Sequence, residues 1–552
     1  MSGMALHRER RAFWICLAAV GMLCAVWARY VLGPMPLHVH DTRWIWSDLS
    51  QVYVAWGQYL ADPDKRWLAS ARQSHPLPMS VSLFDPMPLF LLLARGVSWA
   101  IPDGLQFIGW YFLACVVLQG VFAFLAARQV LHRLGEAADS RAGLAVAAVI
   151  ALIVATLPFT FHRFQWHIAL SSQWVLVLSI WMALRTLDSP RRAWWLGNGA
   201  VVLLATGINP YLTLMVVANL CGITVLRYRT LGWGVTLERV VLVCLVAALG
   251  LAVFGFLDAS GARTGDYGRY SSNVLGPMDS NGLARLFPLD IADPTGGQAA
   301  EGFNYLGLGV LVLCAAALVL LPIRRLRAVE FPFFPALVVT LACFALALST
   351  TVYVGSAGHH FAVPAVLEDM LGKFRSSGRF FWMSGFWLVF LALASCVLRL
   401  GTRRALPLLV VLLAVQLVDI QPIARHVKFA IADGKAQVLD GVPPGTYSAI
   451  LVYPAWQCDH QATPLGIRNF ESVGQFALRQ RIPTNNFYAA RNLPSQLAYH
   501  CDYPARLAKP DPTAVYLLSD ALFRAYGSGF EAGFDCRSHV NGDDSWLCVP
   551  RH

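Results

Sequence analysis

The sequence predicts a polytopic α-helical membrane protein with about eleven transmembrane helices and a small extracytoplasmic α/β domain at its C-terminal end. Three observations carry this reading. The chain is 57% hydrophobic and 14% charged, with a mean hydropathy of +0.53, so its main solvent is lipid. Its basic residues, which leave a net charge of +11, sit in short clusters between apolar runs, the pattern of membrane topology rather than of a nucleic-acid binder. Beyond residue 421 the apolar periodicity gives way to short strand-like runs. A soluble multidomain enzyme is excluded. There is also no G-x-x-x-x-G-K-S/T, H-E-x-x-H or C-x-x-C, so ATPase, zincin and thioredoxin chemistry have no motif here.

About 20 apolar residues are needed to cross roughly 30 Å of hydrocarbon. Such stretches run 12–32, 105–127, 143–161, 168–187, 193–207, 210–226, 237–257, 303–322, 331–350, 380–400 and 405–421. Gly207, Asn209 and Pro210 divide what would otherwise be one overlong helix. The first stretch follows RERR as a signal peptide does, but it is long and lacks an A-x-A site, which predicts an uncleaved anchor. The run Pro86–Ile101 carries Arg95 in its middle and prolines at its borders, and reads as an amphipathic helix lying in the interface; a twelfth span is the alternative.

Every second connection is basic: Arg8, Arg10 and Arg11; Arg128, Arg133 and Arg141; Arg185, Arg191 and Arg192; Arg227, Arg229 and Arg239; Arg324, Arg325 and Arg327; Arg399, Arg403 and Arg404. The two short connections of the opposite set, 162–167 and 208–209, hold only Arg163. The positive-inside rule then puts the N-terminus in the cytoplasm and segments 33–104, 258–302, 351–379 and 422–552, about half of the chain, outside. Chemistry is expected on that outer face.

Eight cysteines fall in apolar spans, where a thiol behaves as a small hydrophobe. The other four, Cys458, Cys501, Cys536 and Cys548, all lie in the C-terminal segment. They predict two disulfides, most simply Cys458–Cys501 and Cys536–Cys548, although three pairings fit the spacing. In that segment TYSAILVYP, TAVYLLS and SWLCVP read as buried strands, and SDALFRAYGSG as a helix closing on glycine, with 422–430 as linker.

Candidate chemistry follows the outer segments in order. Asp41 and Asp48 flank a Trp-rich stretch after the first span, where a partly desolvated carboxylate suits a general base; Asp48 also reads as a cap for the helix QVYVAWGQYL. Asp85, in LFDPMPL, is a second acid or a turn former, and the two acids could share a divalent cation. His162, Arg163 and His167 stand at a span end, where a cation marks an anionic ligand or snorkels to headgroups. KFRSSGRFFW brings Lys373, Arg375 and Arg379 beside Ser376, Ser377 and Gly378, whose backbone amides could approach the same phosphate; a headgroup anchor is the alternative. The loop 258–302, with Asp266, Arg269 and Asp293, reads as a polar binding loop for a sugar or pyrophosphate.

The arrangement of one span, a long first outer loop with an early Asp, an F-D-P-x-P stretch and an outer C-terminal domain resembles the GT-C glycosyltransferase superfamily. More narrowly, D-L-S-Q-V-Y-V-A-W-G, H-R-F-Q-W-H-I-A-L-S-S-Q-W and F-R-S-S-G-R-F look like a bacterial multi-pass family of unassigned function placed near that superfamily. The resemblance implies a cytoplasmic-membrane enzyme that takes a sugar from a polyprenyl-phosphate carrier and gives it to an envelope glycan, lipid or protein. By it Asp48 is the base with Asp41 in reserve, Asp85 the second acid, and Arg375 and Arg379 the phosphate clamp. The D-D or D-E pair of many members is absent, Leu49 following Asp48. An envelope lipid transporter or flippase, or a non-catalytic assembly protein, are the other readings.

Overall fold

The computed structural model describes residues 3–551 apart from 65, 103, 258–266, 327 and 444. Asp266 of the polar loop and Arg327 of the fifth basic cluster therefore lie outside the described residues. The helices that organise the membrane part are α1 (Gly3–Leu32), α2 (Ser47–Leu60), α3 (Pro88–Gly96), α4 (Ile108–Arg133), α5 (Arg141–Ala155), α6 (Trp174–Thr186), α7 (Arg191–Thr206), α8 (Pro210–Val225), α9 (Trp233–Val253), α10 (Leu308–Val319), α11 (Phe333–Leu348), α12 (Phe381–Leu400) and α13 (Thr402–Asp433).

A helix occupies each of the eleven predicted spans, but not at the predicted lengths. Among the described residues five helices are long and apolar enough to cross a membrane, Glu9–Leu32, Ile108–Arg133, Trp233–Val253, Ser377–Leu400 and Thr402–Asp433; Arg141–Ala155 with Pro158–Gln165, bent by 45°, would make a sixth. The others are cut short. α6 has 13 residues, about 20 Å at 1.5 Å per residue, against the roughly 30 Å of a hydrocarbon core. Pro158, Asn209–Pro210 and the irregular backbone around Ser349 end helices inside the protein, a break that is tolerated where protein rather than lipid surrounds the freed backbone groups.

The bundle is built round α12. The apolar stretch within Ser377–Leu400 is 94% buried, whereas those within Glu9–Leu32 and Trp233–Val253 are 28% buried. On α9 the residues Leu237, Val241, Leu245, Leu249 and Val253, spaced by four, are all exposed, an apolar stripe of the kind that suits contact with lipid. Pro86–Ile101 is not a twelfth span: only nine residues form α3, it ends at Gly96, and Leu93, Val97 and Trp99 stay exposed beyond its packed side. Three of the basic connections meet. Arg133 and Arg227 both reach Asp188, at 3.1 and 3.9 Å, and Arg239 Nη2 donates to the Ser189 carbonyl at 3.2 Å.

The segment 422–430, expected as a linker, is instead the continuation of α13, which runs to Asp433 through Pro422. Beyond it stands a four-stranded sheet of β1 (Ile450–Tyr453), β2 (Val515–Ser519), β3 (Phe534–Ser538) and β4 (Ser545–Pro550), in the order β1-β2-β4-β3, with β1 parallel to β2 and the other pairs antiparallel. Alternate residues fill two cores: Ile450, Val452, Val515, Leu517 and Leu547 on one face, Tyr453, Tyr516, Leu518 and Cys548 on the other. Disulfides join Cys458 to Cys501 and Cys536 to Cys548. The predicted helix after β2 is present over Asp520–Tyr526 and stops at Gly527. Its stop is right-handed, φ −56°, so no left-handed glycine cap is used.

This domain docks on the first outer loop through α14 (Asn469–Arg479), which lies across α2. Close approach depends on Gly57, where an added Cβ would stand 2.4 Å from Leu478 Cδ1. Polar contacts lock the crossing: Gln475 Nε2 donates to the Ile45 carbonyl (3.1 Å) and Ser50 Oγ (3.2 Å), and Gln58 Nε2 to the Ile482 carbonyl (3.0 Å). That docking fixes where the first turn of α2 points.

Candidate functional site

The start of α2 is unusual. Ser47 has a left-handed φ of 50°, and Trp46 supplies no side-chain cap. The open amide of Ser47 is taken by Glu471 Oε1 of α14 at 2.7 Å, and Arg468 pairs with the same carboxylate. Asp48 is therefore not the cap of its helix. It sits in the first turn with its carboxylate 3.8 Å from His167 Nδ1, facing a cavity of about 390 Å³.

Distant segments meet round that cavity: Asp48 and Gln51 from α2, Asp85 from the turn before α3, His167, Asn209 and Tyr211 at the start of α8, Tyr270 and Glu301 from the polar loop, residues 373–379, and Tyr488–Arg491 from the C-terminal domain. Apart from Tyr211, which begins the predicted span 210–226, all come from stretches assigned to one side of the membrane by the basic-residue pattern. Asp85 has φ 57° and Met87 φ 53°, strained values for side chains of their size, and strain of this kind collects at functional sites. Asn209 holds the result: its Nδ2 donates to Asp85 Oδ1 at 2.7 Å while its own Oδ1 caps α8 by accepting from Tyr211 N at 2.9 Å. The helix break at 207–210 thus supplies a site residue.

Burial sets the charges. It pushes Asp85 up to about 6, against the downward pull of His167, Arg379 and the Asn209 hydrogen bond. Burial likewise raises Asp48, opposed chiefly by His167, although 26% of its side-chain surface stays open to the cavity. Glu301 behaves in the opposite way: burial alone would raise it, but Arg379, His167 and Arg163 together hold it well below the usual carboxylate range.

Glu301 escaped the sequence reading and is the hub of the site. Arg379 donates to its Oε2 from Nε (3.1 Å) and Nη2 (2.8 Å), Arg163 Nη1 donates to the same oxygen at 3.0 Å, and His167 Nε2 bonds its Oε1. Two expectations are corrected by this. Arg163 is fully buried and spent on Glu301 and the Ala300 carbonyl, so it neither binds an external anion nor snorkels. Arg379 reaches the cavity wall but its fork is occupied by Glu301, which leaves it a structural cation beside the Tyr211 ring. His162 is buried against Phe303, with ring centroids 4.3 Å apart, and does not line the cavity.

The free positive charge is at Lys373 and Arg375. Both line the cavity and make no ion pair with a carboxylate among the described residues; Arg375 lies over Tyr270 at 5.2 Å. Arg491 joins them, tied by Nη2 to the Lys373 carbonyl at 2.7 Å. Two of the three backbone amides of the SSG run, expected to approach a phosphate, are spent within the protein. Ser376 N donates to Tyr211 Oη (3.0 Å) and Gly378 N to the Tyr270 carbonyl (2.9 Å), and Gly378 is needed because a Cβ there would meet that carbonyl at 2.7 Å.

The remaining predicted residues stand elsewhere. Asp41 is bound by Arg43 at 2.6 Å, a pairing that lowers its pKa, and it is no reserve base for this cavity. Arg269 lies beside the Tyr270 ring and Asp293 accepts from Thr295 and Ala299 within its own loop. A resident divalent cation does not fit the donor set. Asp48, Asp85, His167 and Glu301 meet at the cavity, but among the described residues no three His, Cys, Asp or Glu side chains are placed to hold one metal ion, and Lys373 and Arg375 opposite Asp48 and Asp85 favour an anion.

Residues 21–421 match the model of a domain of unknown function (DUF6311), and residues 439–550 that of the DUF6311 C-terminal domain. No curated protein matches. Two solved structures are similar: the archaeal oligosaccharyltransferase AglB from Archaeoglobus fulgidus in complex with an inhibitory peptide and a dolichol-phosphate, and the Archaeoglobus fulgidus oligosaccharyltransferase tethered to an acceptor peptide containing the NVT sequon. Each is 11% identical, with 97% of this chain and 74% of that chain covered and a TM-score of 0.43.

Proposed function

The chain belongs to the DUF6311 family, and since that membership carries no activity with it, we propose from the site itself that the protein is a membrane glycosyltransferase using a polyprenyl-phosphate-linked sugar. One observation carries the proposal: two carboxylates raised by burial face free cations across a cavity at the edge of the bundle. Asp48 accepts the proton of an acceptor hydroxyl or amine as that atom attacks the anomeric carbon. The bond from that carbon to the carrier phosphate breaks, and the phosphate leaves with the electron pair, its charge met by Lys373 and Arg375 with Arg491 behind them. Asp85 orients the acceptor, and Glu301 keeps His167 beside Asp48.

In this reading the cavity opens on the extracytoplasmic side of a bacterial cytoplasmic membrane, about eleven helices form the membrane domain, and the acceptor is an envelope glycan, lipid or protein. The alternation of basic and non-basic connections along the chain supports that orientation. The transporter reading has less support. Gln119, Asn219 and Gln416, polar groups that a path would need, bond the Val154 carbonyl, Ser179 with Trp387, and the Leu306 carbonyl, and so tie helices together. The deciding experiment incubates purified protein with polyprenyl-phosphate-linked sugars and measures released carrier phosphate. Release that Asp48→Asn and Arg375→Ala both abolish is the expected result; no turnover of any carrier by a folded sample would sink the proposal.

A further inference from the structure

The transfer cavity has aromatic walls that the proposed chemistry leaves unused. Trp166, Tyr270 and Tyr488 line it beside the charged groups. Among the described residues neither the Trp166 indole N–H nor the Tyr488 hydroxyl has a hydrogen-bond partner, and neither atom is sealed from solvent. Burial raises the Tyr488 hydroxyl, and of the charged groups Asp48 and Arg375 act on it most, so it stands beside the reacting groups. From Tyr488 the rings continue out of the cavity over the C-terminal domain. Trp456, in the turn after β1, has its ring centroid 4.6 Å from that of Tyr488, and the exposed His460 ring lies 5.7 Å from Trp456. Phe470 of α14, itself buried, backs the Tyr488 and Trp456 rings at 5.0 and 5.8 Å. Trp456 is fixed at its polar edges. Its Nε1 donates to the Ile467 carbonyl at 2.8 Å and its amide to Asn486 Oδ1 at 2.7 Å, while the Cys458–Cys501 disulfide ties down the same turn. Both rings are half-buried, held from behind and open in front.

We propose that Tyr488, Trp456 and His460 form a subsite for a saccharide chain, which makes the acceptor a glycan rather than a protein or a lipid; this rests on the transferase reading of the cavity. A pyranose has two flat faces of C–H bonds and a rim of hydroxyls. The faces pack on the electron-rich faces of aromatic rings, and the rim needs hydrogen-bonding groups at the ring edges. Tyr488 supplies both, a ring packed on Trp456 and an unpaired hydroxyl in the field of Asp48. A sugar stacked there brings an edge hydroxyl to the carboxylate that takes its proton, and the following sugars lie over Trp456 and His460. Rigid rings with few rotatable bonds give contact area at a low entropic cost. The row is carried by the sheet domain and not by the bundle helices, which suits an acceptor chain in water.

The test titrates full-length protein in lipid nanodiscs, free of donor and of sugar-based detergent, and reads binding by isothermal calorimetry. The probes are maltohexaose, chitohexaose and the oligosaccharides that mild acid releases from bacterial envelopes. At least one is expected to bind saturably. Trp456→Ala should weaken that binding about tenfold, the worth of one stacking contact, and Trp456→Phe should keep most of it. Tyr488→Phe removes only a hydroxyl and should weaken binding about fivefold at an unchanged unfolding midpoint, which keeps a readout if Trp456→Ala does not fold. No saturable binding of any saccharide, or binding that Tyr488→Phe and a folded Trp456→Ala leave unchanged, would overturn the proposal. Tighter binding of a tryptic digest of envelope proteins would overturn it too. Carrier-phosphate release by the wild type, measured separately, separates the two readings. Release without saccharide binding removes the glycan acceptor and leaves the transferase, whereas saccharide binding without release from any carrier removes the transferase and leaves a saccharide-binding site.

Discussion

At the scale of single residues the site separates two kinds of carboxylate. Glu301 is held well below the usual carboxylate range by Arg379, His167 and Arg163 and organises the site, whereas burial raises both Asp48 and Asp85, Asp85 to about 6. Turnover by the proposed transferase should therefore rise with pH through an apparent pKa near 6, the value that burial gives Asp85, because the acids act ionised. Asp85→Asn should flatten that limb in a pH–rate profile. Asp48→Asn should cost on the order of 10² to 10⁴ in rate, the usual worth of a positioned base, with abundance unchanged. Glu301→Gln should instead be read in stability: it leaves Arg163 and Arg379 buried without their counter-charge, a loss of about 3 kcal/mol visible as a lowered unfolding midpoint. Asp48, Asp85 and Arg375 were legible in the sequence because a lone acid or a basic pair near a span end is itself a signal. Glu301 was not, since its partners at 163, 167 and 379 come from other connections, and nothing near it in the chain announces them.

At the scale of elements the informative feature is the interrupted helix. Asn209 both caps α8 and steadies Asp85, so Asn209→Ala should remove a cap worth about 1 kcal/mol and, by deleting a hydrogen bond that lowers the Asp85 pKa, move the acid limb of the profile above 6. A combined shift in midpoint and pH profile checks both roles at once. The Gly-Ile-Asn-Pro break was readable as the end of a helix. That it also shapes a site was not, because the Asp85 turn it meets lies 124 residues away. Helix lengths were misjudged for the same reason. Hydropathy reports how apolar a stretch is and is blind to whether protein or lipid surrounds it, and α6, α10 and α11 end early inside the bundle.

At the scale of the whole molecule, the alternation of basic connections was the strongest signal in the sequence, and it separates cavity-lining segments from the cluster around Asp188. A reporter active only outside the cytoplasm should accordingly work when fused after His552 and fail when inserted near Arg229. The docking of the C-terminal domain was the least legible part. It rests on a glycine crossing and a few polar contacts that no periodicity reveals, chief among them the Ser47 amide on Glu471, 424 residues further along. That bond has a consequence for biogenesis. The ribosome delivers α2 first and its cap among the last quarter of the chain, so the helix bearing Asp48 is completed only once the final domain has folded against it. Under the proposed function, a product that ends before the sheet domain would carry α1 to α13 and still lack the contact that completes α2, so it should show no turnover.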